Sequence, residues 1–341
     1  MTNHVRREFL GVALGAATVL AALAMPAAAA EYEWKWQSYW QPNTVNQKAF
    51  ERFAENVAEK SGGRIAIETL PVDAIVPQSE ILDAITANIL QGSNGGTGYY
   101  VGKDPAFALL ADFNAGYESP EQLTAWFYEG GGNEIARELY ARYGAYFIGP
   151  ALWGAESIPS RKPLRNVADF EGLKMRAPEG MGAAIWSKLG VGVSTLPGTE
   201  VYTALERGNI EATDCGTLGM NDELGYGDIA PYAIYPGIHS MPANDVAINL
   251  EIWNGLPDDL KQVLQEAAIE LNQDSIQANR ELDEGFVAKR DPATLIEWGP
   301  EERRELREVA QEVWAEWAEK SEMSQRIYDS HIAYMQKIGL L

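Results

Sequence analysis

Arg176 closes the segment LKMR, directly before Ala177-Pro178 and the glycine-flanked EGMG. The strand-like LKM ends at the arginine, and Pro178 and Gly180 turn the chain into the next helix, which presents the guanidinium at a strand end. In open α/β sheets ligands bind outside the carboxyl ends of the strands. A guanidinium in such a crevice meets a carboxylate through two parallel charge-assisted hydrogen bonds, which a lysine does not reproduce. Asp214 ends the next strand-like piece, NIEAT, and by the same geometry looks into the same crevice. The ordinary alternatives are a surface arginine and a turn or cap aspartate.

Other chemistries are poorly supplied. The glycine-rich QGSNGGTGYYVGKD is not a phosphate loop, because Thr97 stands where the first glycine belongs and Asp104 where Ser or Thr belongs. It predicts close backbone packing beside a cleft, with Tyr99 and Tyr100 as aromatic walls. Trp40, at the close of the opening strand, is a third aromatic candidate for gripping an organic ligand, in a chain with 10 tryptophans and 15 tyrosines. Past the N-terminal leader the histidines are His239 and His331, and Cys215 is the single cysteine. A zinc cluster is therefore not expected. Cys215 with His239 is the one available nucleophile–base pair, while a cysteine after a strand is more often a small buried hydrophobe. No catalytic residue is assigned.

The elements that must position these residues alternate. YEWKWQSYW reads as a strand, and NTVNQKAFERFAENVAEKSGG as a helix with Val45, Ala49, Phe50, Phe53, Ala54 and Val57 on one face and SGG as its stop. RIAIETL is a second strand, and SEILDAITANILQG a second helix with Ser79 as N-cap. A helix with a glycine interruption then leads to AYFIGPAL, a strand leaving a first lobe. LKMR, VGVSTL and NIEATD begin a second set of β-α units, and two long helical stretches follow. The second carries Val309, Val313, Trp314 and Trp317 on one face. The pattern predicts an α/β protein with mostly parallel, helix-covered sheets and a ligand cleft between two lobes. The divisions are 31–150 with part of 245–290 for the first lobe, 151–244 for the second, and 291–341 for a C-terminal helical region. No repeat or flexible linker separates the lobes, so crossing strands rather than a tether should join them.

Residues 1–30 read as an export signal: Arg6 and Arg7, the apolar run Phe9–Met25, and AMPAAAA with Ala28 and Ala30 at the small-residue cleavage positions. VRREFLGVAL also resembles a twin-arginine signal, with the ordinary secretory route as the alternative. The expected product is periplasmic and not inserted in the membrane. The formal net charge of −22 repels nucleic acid and anionic membranes, so an anionic ligand needs a locally positive site.

LKMRAPEG, LPGTEVYTALERGNIEATD and LPDDLKQVLQEA together resemble the solute-binding proteins of TRAP transporters, the DctP-like family. YYVGKDPAF, WFYEGGG, ELYARYG and YPGIHS resemble more specifically the branch that binds 2-oxo acids with a metal ion. The resemblance covers essentially the whole chain after the leader. It implies a two-lobed periplasmic receptor in which Arg176 pairs with the carboxylate of a small organic acid and a TRAP membrane permease receives the ligand. It also implies a metal site: Glu156 in LWGAES, Asp214 where the branch has glutamate, and the Cys215 carbonyl where the branch has tryptophan. Two protein carboxylates and a ligand carboxylate near one arginine call for a cation. With no histidine or thiolate cluster in view, oxygen donors favour a hard ion, Ca2+ above Na+. The branch further implies a helix exchanged between two subunits, hence a homodimer. An enzyme acting on a small organic acid, built on Cys215 and His239, and an ABC-type receptor are the competing readings.

Overall fold

The computed structural model describes residues 30–196 and 198–341. Apart from Ala30, the leader lies outside the described residues. Among the described residues eleven strands follow in chain order: β1 (Tyr32–Ser38), β2 (Ile65–Leu70), β3 (Gly92–Gly95), β4 (Ala145–Leu152), β5 (Pro159–Ser160), β6 (Lys174–Arg176), β7 (Gly192–Ser194), β8 (Ala212–Thr213), β9 (Tyr232–Ile234), β10 (Ala243–Asn249) and β11 (Leu295–Ile296). They form two sheets, ordered β2-β1-β3-β10-β4 and β11-β9-β5-β8-β6-β7.

Both sheets are mixed. β1 runs parallel to β2 and β3, whereas β10 runs antiparallel to β3 and β4. In the second sheet β5 runs against its neighbours β8 and β9, and the remaining pairs are parallel. Each sheet thus has one reversed strand, β10 in the first and β5 in the second, and each is entered directly from a short crossing out of the other sheet. The crossings are residues 153–158 between β4 and β5 and 235–242 between β9 and β10. A third connection is the helix Asp258–Val287, whose Leu264, Ala267, Ala268 and Leu271 pack on the first sheet. At its far end Asp283 accepts hydrogen bonds from Thr217 Oγ1 (2.6 Å) and the Gly219 N–H (2.7 Å) beside the second sheet.

Local chemistry accounts for most elements. Thr44 caps Val45–Lys60 by accepting from the Gln47 N–H (3.2 Å), and that helix buries Phe50, Phe53 and Val57. Each such side chain contributes about 1.5–3 kcal/mol. Ser79 caps nothing: a short 3-10 turn, Gln78–Glu80, precedes the helix Ile81–Thr86, and neither start has a side-chain cap. The glycine-rich segment is itself strand β3. Gly92 faces the Trp36 ring so closely that a Cβ there would lie 2.6 Å from Trp36 Cδ2, so the missing side chain is what admits the indole.

The C-terminal stretch is two helices, Pro300–Ala318 and Glu322–Lys337, the second capped by Ser321. Trp314 is fully buried, stacked on Phe113 (4.2 Å between centroids), and donates to the Asn114 carbonyl (3.0 Å). Of the apolar face, Val313 and Trp314 are buried and Val309 and Trp317 half-buried against the chain's own core. His331 is sandwiched between Trp126 (3.6 Å) and Phe113 (4.1 Å), with Nδ1 on the Tyr117 hydroxyl (2.8 Å) and Nε2 on the Leu109 carbonyl (3.2 Å).

Burial pushes the His331 pKa down to about 3, against the raising effect of the Leu109 carbonyl. Between the unfolded value of about 6.5 and that folded value, the unfolded chain holds a proton that the native protein does not. His331 therefore adds a loss of stability, up to about 1.4 kcal/mol per pH unit, as pH falls through that window. Thermal melts of His331→Gln from neutral pH to pH 4 should show a lower melting temperature throughout but a shallower acid slope than the wild type. Equal slopes would refute the assignment.

Candidate functional site

Arg176 is the last residue of β6, in register with Ser194 of β7 and Thr213 of β8. Gly180, at φ +137°, turns the chain into the helix Met181–Lys188 in a conformation that a side chain would strain. The guanidinium is half-buried and held by backbone: Nε donates to the Leu196 carbonyl (3.0 Å) and Nη1 to the Asp214 carbonyl (2.6 Å). Three of its five N–H groups remain for a ligand.

Asp214 follows β8 and is buried. Trp186, from the helix after the Gly180 turn, donates its indole N–H to Asp214 Oδ2 (3.0 Å), and His239 Nε2 lies 3.1 Å from Oδ1. Burial works to raise the Asp214 pKa, but the charge and hydrogen bond of His239, the Trp186 N–H and the Arg176 charge outweigh it and hold the carboxyl below its ordinary range. Glu156, in the first crossing, goes the other way: burial, then the nearby Asp214 and Asp112, push it well above the ordinary range. Asp112 accepts from Ser240 Oγ (2.6 Å), the Met241 N–H (3.2 Å) and Asn114 Nδ2 (2.5 Å), and burial raises it to about 7.

The two crossings are tied together at this point. The Glu156 N–H donates to the Ser240 carbonyl (2.8 Å), and the Ser157 N–H to the Gly216 carbonyl (2.9 Å), just past Asp214. Glu156, Asp214 and His239 each bring one ligand atom within 4.8 Å of the others. These donors fit a cation, and Glu156 and Asp214 are the residues that would hold it, but the third donor is an imidazole. The expectation of a site without histidine is corrected: the second crossing delivers His239 to it. The Cys215 thiol is not part of this cluster. It is half-buried, its pKa is pushed up to about 11 by burial, and Tyr226 is its neighbour.

The aromatic candidates separate. Tyr99 is 50% exposed, with its ring 5.6 Å from Tyr39, and Arg176, Cys215 and Glu156 all act on its hydroxyl. Tyr100 is in the core against Phe107 (5.4 Å) and Tyr140 (6.3 Å), so it does not supply a wall. Trp40 is buried, donates to Asn94 Oδ1 (3.0 Å) and packs edge-on against Tyr39 (4.8 Å) and Trp153 (5.1 Å), which makes it a support. Tyr39, Trp153, Trp186, Tyr226 and His239 complete the junction; of these, sequence reasoning singled out only His239, and that as a base for Cys215.

An arginine, buried carboxylates and tyrosines at the crossing between two α/β lobes define a class, the two-lobed solute-binding proteins. The chain belongs to the DctP family, "Bacterial extracellular solute-binding protein, family 7", whose model matches residues 37–321. That family consists of extracytoplasmic receptors rather than enzymes. The chain is 33% identical over 241 residues to a monocarboxylate 2-oxoacid-binding periplasmic protein of Nostoc sp., covering 70% of this chain and 66% of that protein. It is similar to a TRAP periplasmic solute-binding protein from Rhodobacter sphaeroides in an apo open structure, at 35% identity and a TM-score of 0.82, over 90% of this chain and 99% of that one. A TRAP periplasmic solute-binding protein from Pseudoalteromonas atlantica, with bound sodium and pyruvate, is 27% identical, with a TM-score of 0.73 over 91% of this chain and 95% of that one. No helix among the described residues is long and apolar enough to cross a membrane.

The junction has little slack. A Cβ on Gly237 would overlap the Glu156 carbonyl oxygen and lie 2.7 Å from the Ala155 carbonyl carbon. Gly237→Ala is expected to cost about 1–3 kcal/mol, read as a lower urea midpoint. An unchanged midpoint would show that the crossings spread freely.

Proposed function

We propose that the protein captures a small organic monocarboxylate, of the 2-oxo or 2-hydroxy acid class, at the junction between its lobes and delivers it to TRAP membrane permease subunits. The observation that carries this is the Arg176 guanidinium. Two of its donors are fixed on the Leu196 and Asp214 carbonyls, so the remaining N–H groups are aimed before any ligand arrives. Tyr99 and Tyr39 supply apolar surface beside it. A second ligand carboxylate would meet Glu156 and Asp214 rather than another cation, which favours monocarboxylates over dicarboxylates. The pyruvate bound by the Pseudoalteromonas relative supports the same class.

The lobes are 31–150 with part of 245–290, and 151–244, with 291–341 bracing both. Ligand capture closes them about the two crossings. The leader 1–30 directs export to the periplasm by the twin-arginine route. The enzyme reading loses its chemical basis: His239 Nε2 is engaged by Asp214, and a thiol raised to about 11 is protonated at neutral pH. A thermal-shift screen of 2-oxo acids, 2-hydroxy acids, aromatic acids and dicarboxylates tests the ligand class. A response to dicarboxylates alone would overturn it.

Arg176→Ala should remove about 3–5 kcal/mol of carboxylate binding, and Arg176→Lys should recover little of it. Titration calorimetry with the best acid from the screen checks both variants, with circular dichroism as the control for folding. Wild-type affinity in the alanine variant excludes the role.

A further inference from the structure

Among the described residues four non-glycine residues have a left-handed backbone, and three of them are exposed Asn or Asp, which tolerate it. The fourth is Ala115, a buried alanine at φ +60°. It is the third residue of the turn Phe113–Gly116, which the Gly116 N–H closes on the Phe113 carbonyl (2.8 Å). With positive φ at that residue and not at Asn114, this is a type II turn, whose third position calls for glycine or asparagine. An alanine held there carries backbone strain, and such strain persists only where the surroundings impose it. The surroundings are the helix Pro300–Ala318. Trp314 donates its indole N–H to the Asn114 carbonyl (3.0 Å) with its ring stacked on Phe113, and Arg307 Nε donates to the Ala115 carbonyl (3.1 Å).

The turn faces the second crossing. The Ala115 N–H donates to the His239 carbonyl (2.7 Å), and three residues earlier Asp112 accepts from Ser240 Oγ (2.6 Å) and the Met241 N–H (3.2 Å). Three consecutive residues of the crossing are thus seated on residues 112–115. The peptide between Asn114 and Ala115 is held at both ends, its carbonyl by Trp314 and its N–H by His239. Relaxation to a type I turn, in which an alanine is unstrained, flips that peptide and turns both groups to the opposite side. His239 would then lose its backbone seat, while its Nε2 is the group that meets Asp214 Oδ1 (3.1 Å) beside Arg176.

We infer that Trp314 is a positioning residue for ligand capture: its indole N–H locks the Asn114–Ala115 peptide in the orientation that seats His239, and through His239 Asp214, beside Arg176. This deepens the receptor reading, on which it rests for the organic acid. The test compares Trp314→Phe, which keeps a ring for Phe113 and removes the donor, with and without Ala115→Gly in the mature protein. Glycine takes a positive φ without strain, so in that background the turn no longer needs the indole to hold it. Pyruvate is the probe for titration calorimetry, and amide exchange of residues 112–116 and 238–241 is read by mass spectrometry without any acid. Trp314→Phe should speed that exchange and lose about ten-fold in pyruvate affinity. In the Ala115→Gly background the same substitution should lose less than about three-fold and leave the exchange nearly unaltered. A tryptophan that only fills the core would cost the same in both backgrounds. Equal losses, or wild-type exchange in Trp314→Phe, overturn the assignment. If Trp314→Phe does not fold, Arg307→Met, which frees the Ala115 carbonyl instead, is put through the same comparison with the same deciding outcomes. A wild type that takes no pyruvate counts against the ligand class alone, because the exchange still decides the lock.

Discussion

The hydrogen bond from the Glu156 N–H to the Ser240 carbonyl, 2.8 Å long, joins the two lengths of chain that pass between the sheets. Nearly every functional side chain is referred to it. Glu156 is on one of its residues, and His239 immediately precedes the other. Asp214 is brought alongside by the neighbouring Ser157–Gly216 bond. The contact is close because residue 237 is a glycine packed against the Ala155–Glu156 peptide. Buried polar groups around such a backbone pair are normally hydrogen-bonded.

From this tie outward, the site is built of strand ends and one helix. The strand end that presents Arg176 is followed by the turn that launches Met181–Lys188, and that helix returns Trp186 to the aspartate closing the next strand. One short stretch of sequence therefore supplies the anion anchor, a carboxylate and the group that orients it. The aromatic side comes from the first lobe, where Trp40 fixes Tyr39 and Trp153 from behind the first strand and the first crossing. Neither lobe holds a complete site.

This division explains what the sequence reveals. Arg176 and Asp214 are legible because strand ends in a β-α pattern have a known relation to a crevice. His239, Trp186, Tyr39 and Tyr226 arrive through tertiary packing, and no spacing rule connects them to Arg176. The signals available for His239 were the rarity of histidine and its place in YPGIHS. Strand β3 escapes periodicity because Gly92 makes room for Trp36 and Gly95 for Tyr100 and Asp245. Strand β10, ANDVAIN, reads as polar because Asn244 and Asp245 are buried in it, Asp245 accepting from Ser93 Oγ (2.7 Å), the Gly95 N–H (3.1 Å) and the Tyr140 hydroxyl (2.8 Å). Tyr100 was misjudged as a wall for a related reason: adjacent residues of one short helical turn face opposite ways, Tyr99 to solvent and Tyr100 to the core.

The interleaved strand order sets a limit on how the polypeptide can acquire its shape during synthesis. β4 joins the first sheet only through β10, which lies almost a hundred residues later in the chain. β9 joins the second sheet through β5 and is then flanked by β11, which follows the long helix. A chain emerging N-terminus first therefore cannot complete either sheet until the part beyond the second crossing has appeared. The first sheet is the more dependent of the two, because the strand that arrives last, β10, stands between β3 and β4, whereas the second sheet waits only for its edge strand β11. Assembly is a late, collective event, and a translocation route that accepts only folded cargo would have to wait for nearly the entire polypeptide.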